Sequence, residues 1–584
     1  MLYRNLLAML SDREQRYPDK KAFVYLLNGE VESDSLTYAE LGQSAKKVAA
    51  YLQFLELKGE RVLILLPSSI DYLVVFLGCL YAGVIPVPVY PPTKSRNTDR
   101  LISIYENAQP SLIILSSNGM LTKLSASMHN TPTLLIEELL EHDFTYEPQN
   151  ENISSNDIAF LQFTSGSTSN PKGVMVTHRN LLHNFNLMAS KFEHSAQTRM
   201  VTWLPFYHDM GLIGNLLQNI YNGSVCYIMS PLDFIQKPIR WLRAVSKYAI
   251  TYSGGPDFSY RLCSQKITEE EKQGLDLGSW SNAYCGSEPI YAETLRMFND
   301  SFKNCGFNEN ALLPGYGLAE FTLCATVTSR ETGPIVHEVD REALSRNKII
   351  RVATSSESGV TLVSSGAISD FLNVEIVNPN SLAQCQEREV GEIWLHGDSV
   401  AKGYWNNPIK SREIFQAAIA DQKDKLFLRT GDLGFVDQGE LFVTGRLKDL
   451  IIIRGQNYYP QDIEFDAASC HEDINETSLA AFSINHQGIE ELVVVCEVKR
   501  EFRHKAKQLK LELSEMIEEV VSSIRARILE KFQIYAYDVQ IVHPLGIPKT
   551  SSNKVQRSKC KDMYLDGTLH IWGEAIERSL HLEL

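Results

Sequence analysis

The sequence has 584 residues, of which 44% are hydrophobic and 22% are charged, and its formal net charge is −15. This composition is that of a globular protein with enough apolar material for a large core, which excludes disordered and collagen-like classes. The acidic balance argues against nucleic-acid binding, because replacing phosphate counterions needs concentrated Lys and Arg.

The N-terminal part of the chain contains one stretch that resembles a membrane span. Residues 72–90 are uncharged and numerous enough to cross a bilayer. Pro86 and Pro88, with the β-branched run around them, favour instead a buried helix followed by a buried strand. The first twenty residues lack the apolar region of a signal peptide. Ten cysteines without a C-x-x-C pair indicate reduced core thiols, so we expect a cytoplasmic protein with no transmembrane segment.

Apolar runs alternate with helical segments over the first half of the chain. Since unbroken apolar strands between helices are typical of a parallel α/β sheet covered on both faces, we expect strands at 61–66, 110–117, 157–163 and 223–229. Short strands that end in Gly follow at 391–397, 439–445 and 450–455, and their pattern indicates antiparallel hairpins. A strand at 492–498, a helical pattern to about residue 531 and a strand at 537–542 then predict a small α+β domain. We therefore expect a large domain over 1–447 and a small one over 448–584.

One loop, "FTSGSTSNPKGVMVTH" (163–178), has the composition of a phosphate-binding loop. It offers clustered hydroxyls, Gly166 and Gly173 for close backbone approach, and the cation of Lys172. Its order differs from the Walker loop, and a plain Ser/Gly surface loop is the alternative. Further motifs decide between the two: "LPFYHDMGL" (204–212), "YSGGPDF" (252–258), "AYCGSEPI" (283–290), "PGYGLAE" (314–320), "TGDLG" (430–434), "GRLKDLIIIRGQNYYPQDIE" (445–464) and "IPKTSSNKVQR" (547–557).

With these motifs in this order, nearly the whole chain resembles the adenylate-forming superfamily of acyl-CoA synthetases, luciferases and peptide-synthetase adenylation domains. It is most similar to the fatty acyl-AMP ligases, because of "PVYPP" (88–92), the His-Asp-Met of 208–210 and a long spacing from Glu320 to Gly366. That spacing indicates an insertion somewhere in about 325–365. The resemblance implies an α/β fold: a large N-terminal domain of stacked mixed β-sheets with helices and a β-subdomain, then a small mobile α+β C-terminal domain.

The resemblance also implies a reaction. A medium- or long-chain fatty acid attacks the α-phosphate of ATP with Mg²⁺ present, and acyl-AMP and pyrophosphate form. The acyl group then passes to the phosphopantetheine of a separate acyl carrier protein, or of a polyketide or peptide synthase carrier domain, rather than to CoA.

The residues that match the family motifs acquire implied roles. Lys554 and His208 are the implied catalytic residues. The implied phosphate-binding residues are Thr164, Ser165, Gly166, Ser167, Thr168 and Lys172. The implied metal ligands are Glu320 and Thr168. The residues implied to bind adenine and ribose are Gly286, Ser287, Glu288, Tyr316, Gly317, Asp432 and Arg446. Ser253, Gly254, Gly255 and Gly315 are expected near the acyl-adenylate, and Lys448 at the hinge.

One of these matches departs from the family pattern, and one neighbouring residue is left without a role. Asn553 precedes Lys554 where the family usually has Gly, although Asn tolerates a left-handed backbone better than most residues. Asp209 adjoins His208, but we assign it no role because neighbours in sequence rarely face each other.

Partner and substrate alternatives stay open at this point. The basic run at 499–510 is either a docking surface for an acidic carrier protein or a solvated helix face. The rival activities are an acyl-CoA synthetase and an amino or aryl acid adenylating enzyme, for which Asp209 would be a poorly matched ammonium partner. A non-catalytic adenylate-binding module is disfavoured because Lys554 and Glu320 are both present.

Overall fold

The structure is a computed structural model, and it describes residues 3–92, 98–125, 128–142, 144–147, 153–164, 171–353, 359–420, 422–550 and 554–572. Its architecture is mixed α/β, as predicted. Within these ranges no helix is both long enough and apolar enough to cross a bilayer. All ten cysteines are free thiols.

The largest sheet has a parallel half that builds most of the molecule's core. Its strands lie in the order Leu312–Gly317, Asn282–Cys285, Tyr252–Gly255, Arg199–Thr202, Val225–Ile228, Lys21–Leu27 and Val31–Thr37. Only the last pairing is antiparallel. Apart from the exposed edge strand Val31–Thr37, these strands are mostly buried, which is the usual environment of parallel strands.

The same sheet continues into an antiparallel half. Beyond Leu312–Gly317 the strands follow in the order Cys324–Val327, Gly359–Ala367, Glu440–Arg446, Gln422–Asp437, Gly391–His396 and Asn373–Val377. Val336–Asp340 pairs with Gly359–Ala367, and Ala417–Ile419 pairs with Gln422–Asp437. The first of these two pairings, with the helix Arg341–Ser345, occupies the region where we predicted an insertion.

A second layer packs beside the large sheet. It contains a four-stranded parallel sheet in the order Ile85–Pro88, Arg61–Leu65, Leu112–Leu115 and Thr133–Leu135. The strand Ile158–Phe163 does not join it. That strand pairs antiparallel with Gly173–Thr177, so our prediction that 157–163 is part of a parallel sheet was wrong. The phosphate-loop candidate therefore connects the two strands of a hairpin.

The C-terminal part has its own sheet and cores. The hairpin Ile451–Ile453 and Gln456–Tyr458 precedes a three-stranded sheet of Ile474–His486, Ile489–Val498 and Ala536–Val542. Two hydrophobic clusters in this part contain only residues from Ile451 onward. The boundary at residue 448 remains a prediction.

The helices cover both faces of the sheets. They are Leu6–Arg16, Tyr38–Phe54, Ile70–Ala82, Thr98–Ala108, Ile136–Leu140, His178–Lys191, Asp209–Gly211, Gln218–Asn222, Pro231–Gln236, Ile239–Lys247, Asp257–Lys266, Ala292–Phe302, Arg341–Ser345, Pro408–Phe415, Pro460–Ala468, Phe502–Leu509, Leu513–Phe532 and Arg557–Leu565.

The helix Ile70–Ala82 shows why the uncharged stretch folds inside the protein. Every residue from Tyr72 to Ala82 is buried, and Gly78 lies against Val48 of the neighbouring helix. Ser69 caps its N-terminus and Gly83 ends it with a φ of 68°. The predicted buried helix is thus followed by the buried strand Ile85–Pro88.

Candidate active site

One large cavity lies where the parallel strands end and the C-terminal part covers them. Its volume is about 1430 Å³. Ligands in α/β proteins bind at this edge of a parallel sheet. Many of the predicted site residues line it: Thr164, Lys172, His208, Gly286, Ser287, Glu288, Gly315, Tyr316, Gly317, Glu320, Asp432, Arg446, Lys448 and Lys554. Ser165, Gly166, Ser167 and Thr168 lie outside the described residues.

Asp432 is the centre of a hydrogen-bonded group on one wall. Arg446 lies opposite it on the adjacent strand and donates from Nε to its Oδ1 at 3.0 Å. The Tyr316 hydroxyl donates to Oδ2 at 2.8 Å. Burial and then the Asp432 charge raise the pKa of Tyr316 well above its usual value, so the phenol stays a donor. The pKa of Arg446 is also raised, by Asp432. This carboxylate is therefore held in a fixed position at the cavity surface.

Glu320 lies in a second polar group, beside the loop. The hydroxyl of Tyr404 donates to its Oε1 at 2.8 Å, and the Nζ of Lys172 lies 4.9 Å from the centre of the Tyr404 ring. Burial lowers the pKa of Lys172, and the nearby Glu320 charge opposes this shift. The ends of the loop are joined by a hydrogen bond from the Thr164 N–H to the Lys172 carbonyl at 3.1 Å.

His208 and Asp209 face each other, contrary to our expectation for sequence neighbours. His208 Nδ1 lies 2.7 Å from Asp209 Oδ1, and the Met210 N–H also donates to that carboxylate at 2.7 Å. Burial opposes ionisation of Asp209, but His208 and Lys554 outweigh it and hold the pKa of Asp209 below its ordinary value. A charged Asp209 thus orients the His208 ring at the cavity wall.

Lys554 comes from the C-terminal part and lies partly buried in the cavity. Burial and then the positive charge of Arg446 lower its pKa, whereas Glu288, Asp209 and Asp432 act in the opposite direction. The Thr550 N–H donates to the Lys554 carbonyl at 2.8 Å, and the Lys554 N–H donates to Thr550 Oγ1 at 3.0 Å. These two bonds join Lys554 to Thr550, while Asn553 lies outside the described residues.

At Gly317, beside Tyr316, the backbone is packed too closely for a side chain. A β-carbon on Gly317 would collide with the Leu323 carbonyl oxygen. Gly317 is therefore required by backbone packing rather than by room for a base. Ser287 has a φ of 77°, and the Glu288 carboxylate accepts the Phe258 N–H at 2.7 Å. The side chain of Glu288 is thus engaged by the protein, and residues 286–288 line the cavity.

The other end of the cavity is apolar. It is lined by Met188, Phe192, Met210, Gly214, Tyr252, Tyr284, Leu313, Leu323 and Cys324. Met188 belongs to the helix that follows the loop hairpin, and Phe192 caps the C-terminus of that helix. An apolar recess that opens into a polar, charged chamber can hold a molecule with a hydrocarbon tail and an acidic head.

Two family models match the chain. The AMP-binding enzyme model matches residues 10–405, and the Disco-interacting protein 2-like AMP domain model matches residues 448–574.

The chain belongs to the AMP-binding enzyme family.

Relatives of this AMP-binding enzyme are known by name and by structure. It is 38% identical to the medium-chain fatty acid–acyl carrier protein ligase JamA of Moorena producens, over 98% of this chain and 96% of JamA. It is 33% identical to the long-chain fatty acid–AMP ligase FadD26 of Mycobacterium tuberculosis, over 96% and 97%. The crystal structure of a fatty acyl-adenylate ligase from Legionella pneumophila, in complex with acyl adenylate and pyrophosphate, matches with a TM-score of 0.75 and 38% identity, covering 98% and 97%. The predicted resemblance to fatty acyl-AMP ligases is confirmed.

Some predicted residues of the AMP-binding enzyme lie elsewhere. Ser253, Gly254 and Gly255 do not line the cavity. Ser253 is fully buried behind it, where its hydroxyl donates to the Val201 carbonyl at 2.7 Å and accepts from Trp241 Nε1 at 2.8 Å. A residue on an inner strand points either toward the ligand or toward the core, and "YSGGPDF" does not reveal which.

Sequence reasoning also missed residues that line the cavity. Tyr404 lies in "KGYWNN", a segment with no pattern that points to a carboxylate partner. Arg100 lies next to the start of the phosphate loop, although it is far from that loop in sequence. Its Nη2 donates to the Thr164 carbonyl at 3.3 Å. The apolar wall could have been sought in the hydrophobic face of the helix His178–Lys191, since that helix follows the loop directly.

Proposed function

We propose that this AMP-binding enzyme activates a medium- or long-chain fatty acid with ATP and passes the acyl group to an acyl carrier protein. One observation carries the proposal: a single cavity joins an apolar recess to a chamber holding Lys554, Asp432 and Glu320. The relatives named as fatty acid–AMP and fatty acid–carrier protein ligases support it over almost the whole chain. We further propose that the enzyme works in the cytoplasm.

The nucleotide end of the cavity supplies groups for each part of ATP. Asp432 accepts hydrogen bonds from the ribose hydroxyls, for which Arg446 and Tyr316 hold it in place. The Tyr316 ring lies along the adenine, whose edge meets the backbone of 286–288. Lys172 and the hydroxyls of the loop hold the β- and γ-phosphates.

Glu320 is the residue that would hold Mg²⁺. A Mg²⁺ ion bound with ATP needs one or two carboxylates, and its other ligands are phosphate oxygens and water. The Glu320 oxygens line the cavity next to Lys172, which fits this need. When bound, the ion would neutralise charge on the phosphates.

In the first step a carboxylate oxygen of the fatty acid attacks the α-phosphorus. The bond from that phosphorus to the bridging oxygen of the β-phosphate breaks, and pyrophosphate leaves. Lys554 bridges the two anions and stabilises the charge that gathers on the phosphoryl oxygens. His208, oriented by Asp209, lies beside these anions.

In the second step a phosphopantetheine thiolate attacks the acyl carbon, the carbon–oxygen bond to AMP breaks, and AMP leaves. This step requires Lys554 to withdraw. We assign the rotation to the turn Leu447–Asp449, which lies at the proposed boundary between domains 1–447 and 448–584.

The carrier protein would approach the exposed basic face of the helix Phe502–Leu509. Lys505 forms ion pairs with Glu472 and Asp473 at 2.5 and 2.7 Å, so its charge is already paired within the protein. Arg503 and Lys507 are exposed. Reversing both charges should slow acyl transfer without slowing pyrophosphate release.

The proposed activity is tested with a panel of saturated fatty acids, from medium to long chain. Each is incubated with ATP and Mg²⁺, pyrophosphate release is followed, and adenylates are identified by mass spectrometry. We expect fatty acyl adenylates. Adenylates formed only from amino or aryl acids would overturn the substrate class. Rapid formation of acyl-CoA on addition of CoA would overturn the choice of carrier protein as acceptor.

A further inference from the structure

A stack of side chains joins the large domain to the helix Pro460–Ala468 of the small domain. The rings of Tyr291 and Phe465 lie 4.4 Å apart between centroids and 15° from parallel. The guanidinium carbon of Arg261 lies 5.8 Å from the Tyr291 centroid and 5.3 Å from the Phe465 centroid. Tyr291 and Arg261 belong to the large domain, so the stack crosses the boundary. Aromatic pairs and cation–π contacts of this kind stabilise an interface beyond the area they bury.

The large-domain half of the stack is held rigidly. Arg261 Nη2 donates to Thr294 Oγ1 at 2.8 Å, and that hydroxyl donates to Asp257 Oδ2 at 2.8 Å. The other oxygen of Asp257 accepts the Tyr291 N–H at 3.0 Å. A single buried carboxylate therefore fixes both the backbone of Tyr291 and the position of Arg261.

The small-domain half is connected to Lys554. Glu464, next to Phe465, forms a two-pronged ion pair with Arg557: Nε and Nη2 donate to its two oxygens at 2.6 Å each. Bidentate pairs of this kind fix orientation as well as distance. Arg557 begins the helix Arg557–Leu565, three residues after Lys554. Where Phe465 is held, the turn that carries Lys554 is held as well.

We propose that Arg261, Tyr291 and Phe465 form an interdomain latch that stabilises the arrangement in which Lys554 lies in the cavity. The three are positioning residues, since they act through the helix Pro460–Ala468 and Glu464–Arg557. The latch favours adenylation and opens before acyl transfer. This inference rests on the proposed function. It adds that the latch determines which of the two half-reactions the enzyme can perform.

The test measures the two half-reactions separately in Phe465→Ala. Exchange of labelled pyrophosphate into ATP with dodecanoic acid reports adenylation, and thioester formed from preformed dodecanoyl-AMP and pantetheine reports transfer. We expect the kcat of exchange to fall about tenfold, the size of effect expected from one desolvated aromatic and cation–π contact, with little change in the KM for ATP. Transfer should stay at the wild-type rate or rise. Phe465→Tyr, which keeps the ring, should restore exchange.

Two further variants guard against a simple folding defect. Tyr291→Leu removes the opposite ring, from the large domain, and should give the same split. Tyr535→Ala removes an exposed ring of the small domain, over which Arg525 lies at 5.7 Å, and should leave both half-reactions unchanged. Wild-type exchange in Phe465→Ala, or an equal fall in exchange and transfer, would overturn the latch. Absence of any fatty acyl adenylate with the wild-type enzyme would instead overturn the proposed function.

Discussion

Replacing Lys554 by alanine should separate catalysis from binding. Its ammonium is buried near Arg446, which repels it, and near Glu288, Asp209 and Asp432, which attract it. The pKa of Lys554 is lowered, so the folded protein gains little from holding this charge. We therefore expect the melting temperature of Lys554→Ala to equal or exceed that of the wild type.

The kinetic loss should be large. Removing one preorganised group that faces developing charge lowers kcat by about 10²–10³, or about 2.7–4 kcal/mol. Affinity for preformed acyl-AMP should change by less than about tenfold, because Tyr316, Asp432 and Arg446 remain and hydrogen bonds to charged groups contribute about 1.5–3 kcal/mol each.

The assay is pyrophosphate exchange for kcat and titration calorimetry with acyl-AMP for affinity. Lys549→Ala is the matched control: Lys549 lies in the same segment, but it does not line the cavity, and its Nζ donates to Ser478 Oγ at 2.7 Å. Exchange at the wild-type rate in Lys554→Ala, or an equal loss in both lysine variants, would refute the assignment of Lys554 to the reacting phosphate.

Three other changes test single contacts. Lys172→Ala should raise the KM for ATP by about tenfold, the loss expected for one charged contact to phosphate, with less effect on the dissociation constant of acyl-AMP; equal effects would contradict a role at the leaving phosphates. Tyr404→Phe removes the 2.8 Å hydrogen bond to Glu320, so the Mg²⁺ concentration for half-maximal exchange should rise about tenfold; an unchanged Mg²⁺ titration would contradict it. Burial raises the pKa of Asp257 to about 7, so the folded protein keeps a proton that the unfolded chain loses above about pH 4. The free energy of unfolding therefore falls with rising pH up to about 7, by at most about 1.4 kcal/mol per pH unit from this carboxyl, and Asp257→Asn should remove that part of the slope in urea denaturation.

Local sequence patterns predicted correctly the elements whose burial follows from their own composition. The run at 72–90 had to be buried as a helix and a strand, because it is apolar on all sides and its strand portion holds two prolines and β-branched residues. The motif residues were predicted to act together, and the structure brings most of them to one cavity. His208 and residues 286–288 follow the ends of parallel strands, whereas Asp432 and Arg446 lie on paired antiparallel strands.

Long-range pairings could not be predicted in this way. Ile158–Phe163 is a strand by composition, but its antiparallel partner is decided by the hairpin that follows it. Lys505 belongs to a basic run, yet its partners Glu472 and Asp473 come from a different segment, which precedes that run in sequence. Phe465 and Tyr291 are far apart in sequence, and nothing near either residue indicates that they stack.

The cavity is lined both by the large sheet and by the C-terminal part, which has a consequence for the intermediate. An acyl adenylate is a mixed anhydride, which water hydrolyses readily, and here its reactive carbon would be enclosed by the large sheet on one side and by the Lys554 turn on the other. If the proposed domain rotation operates, its lifetime in the enzyme depends on the rate of that rotation rather than on its affinity. An enzyme arranged in this way can hold an activated acid in reserve until a thiol arrives, with little ATP wasted in the interval.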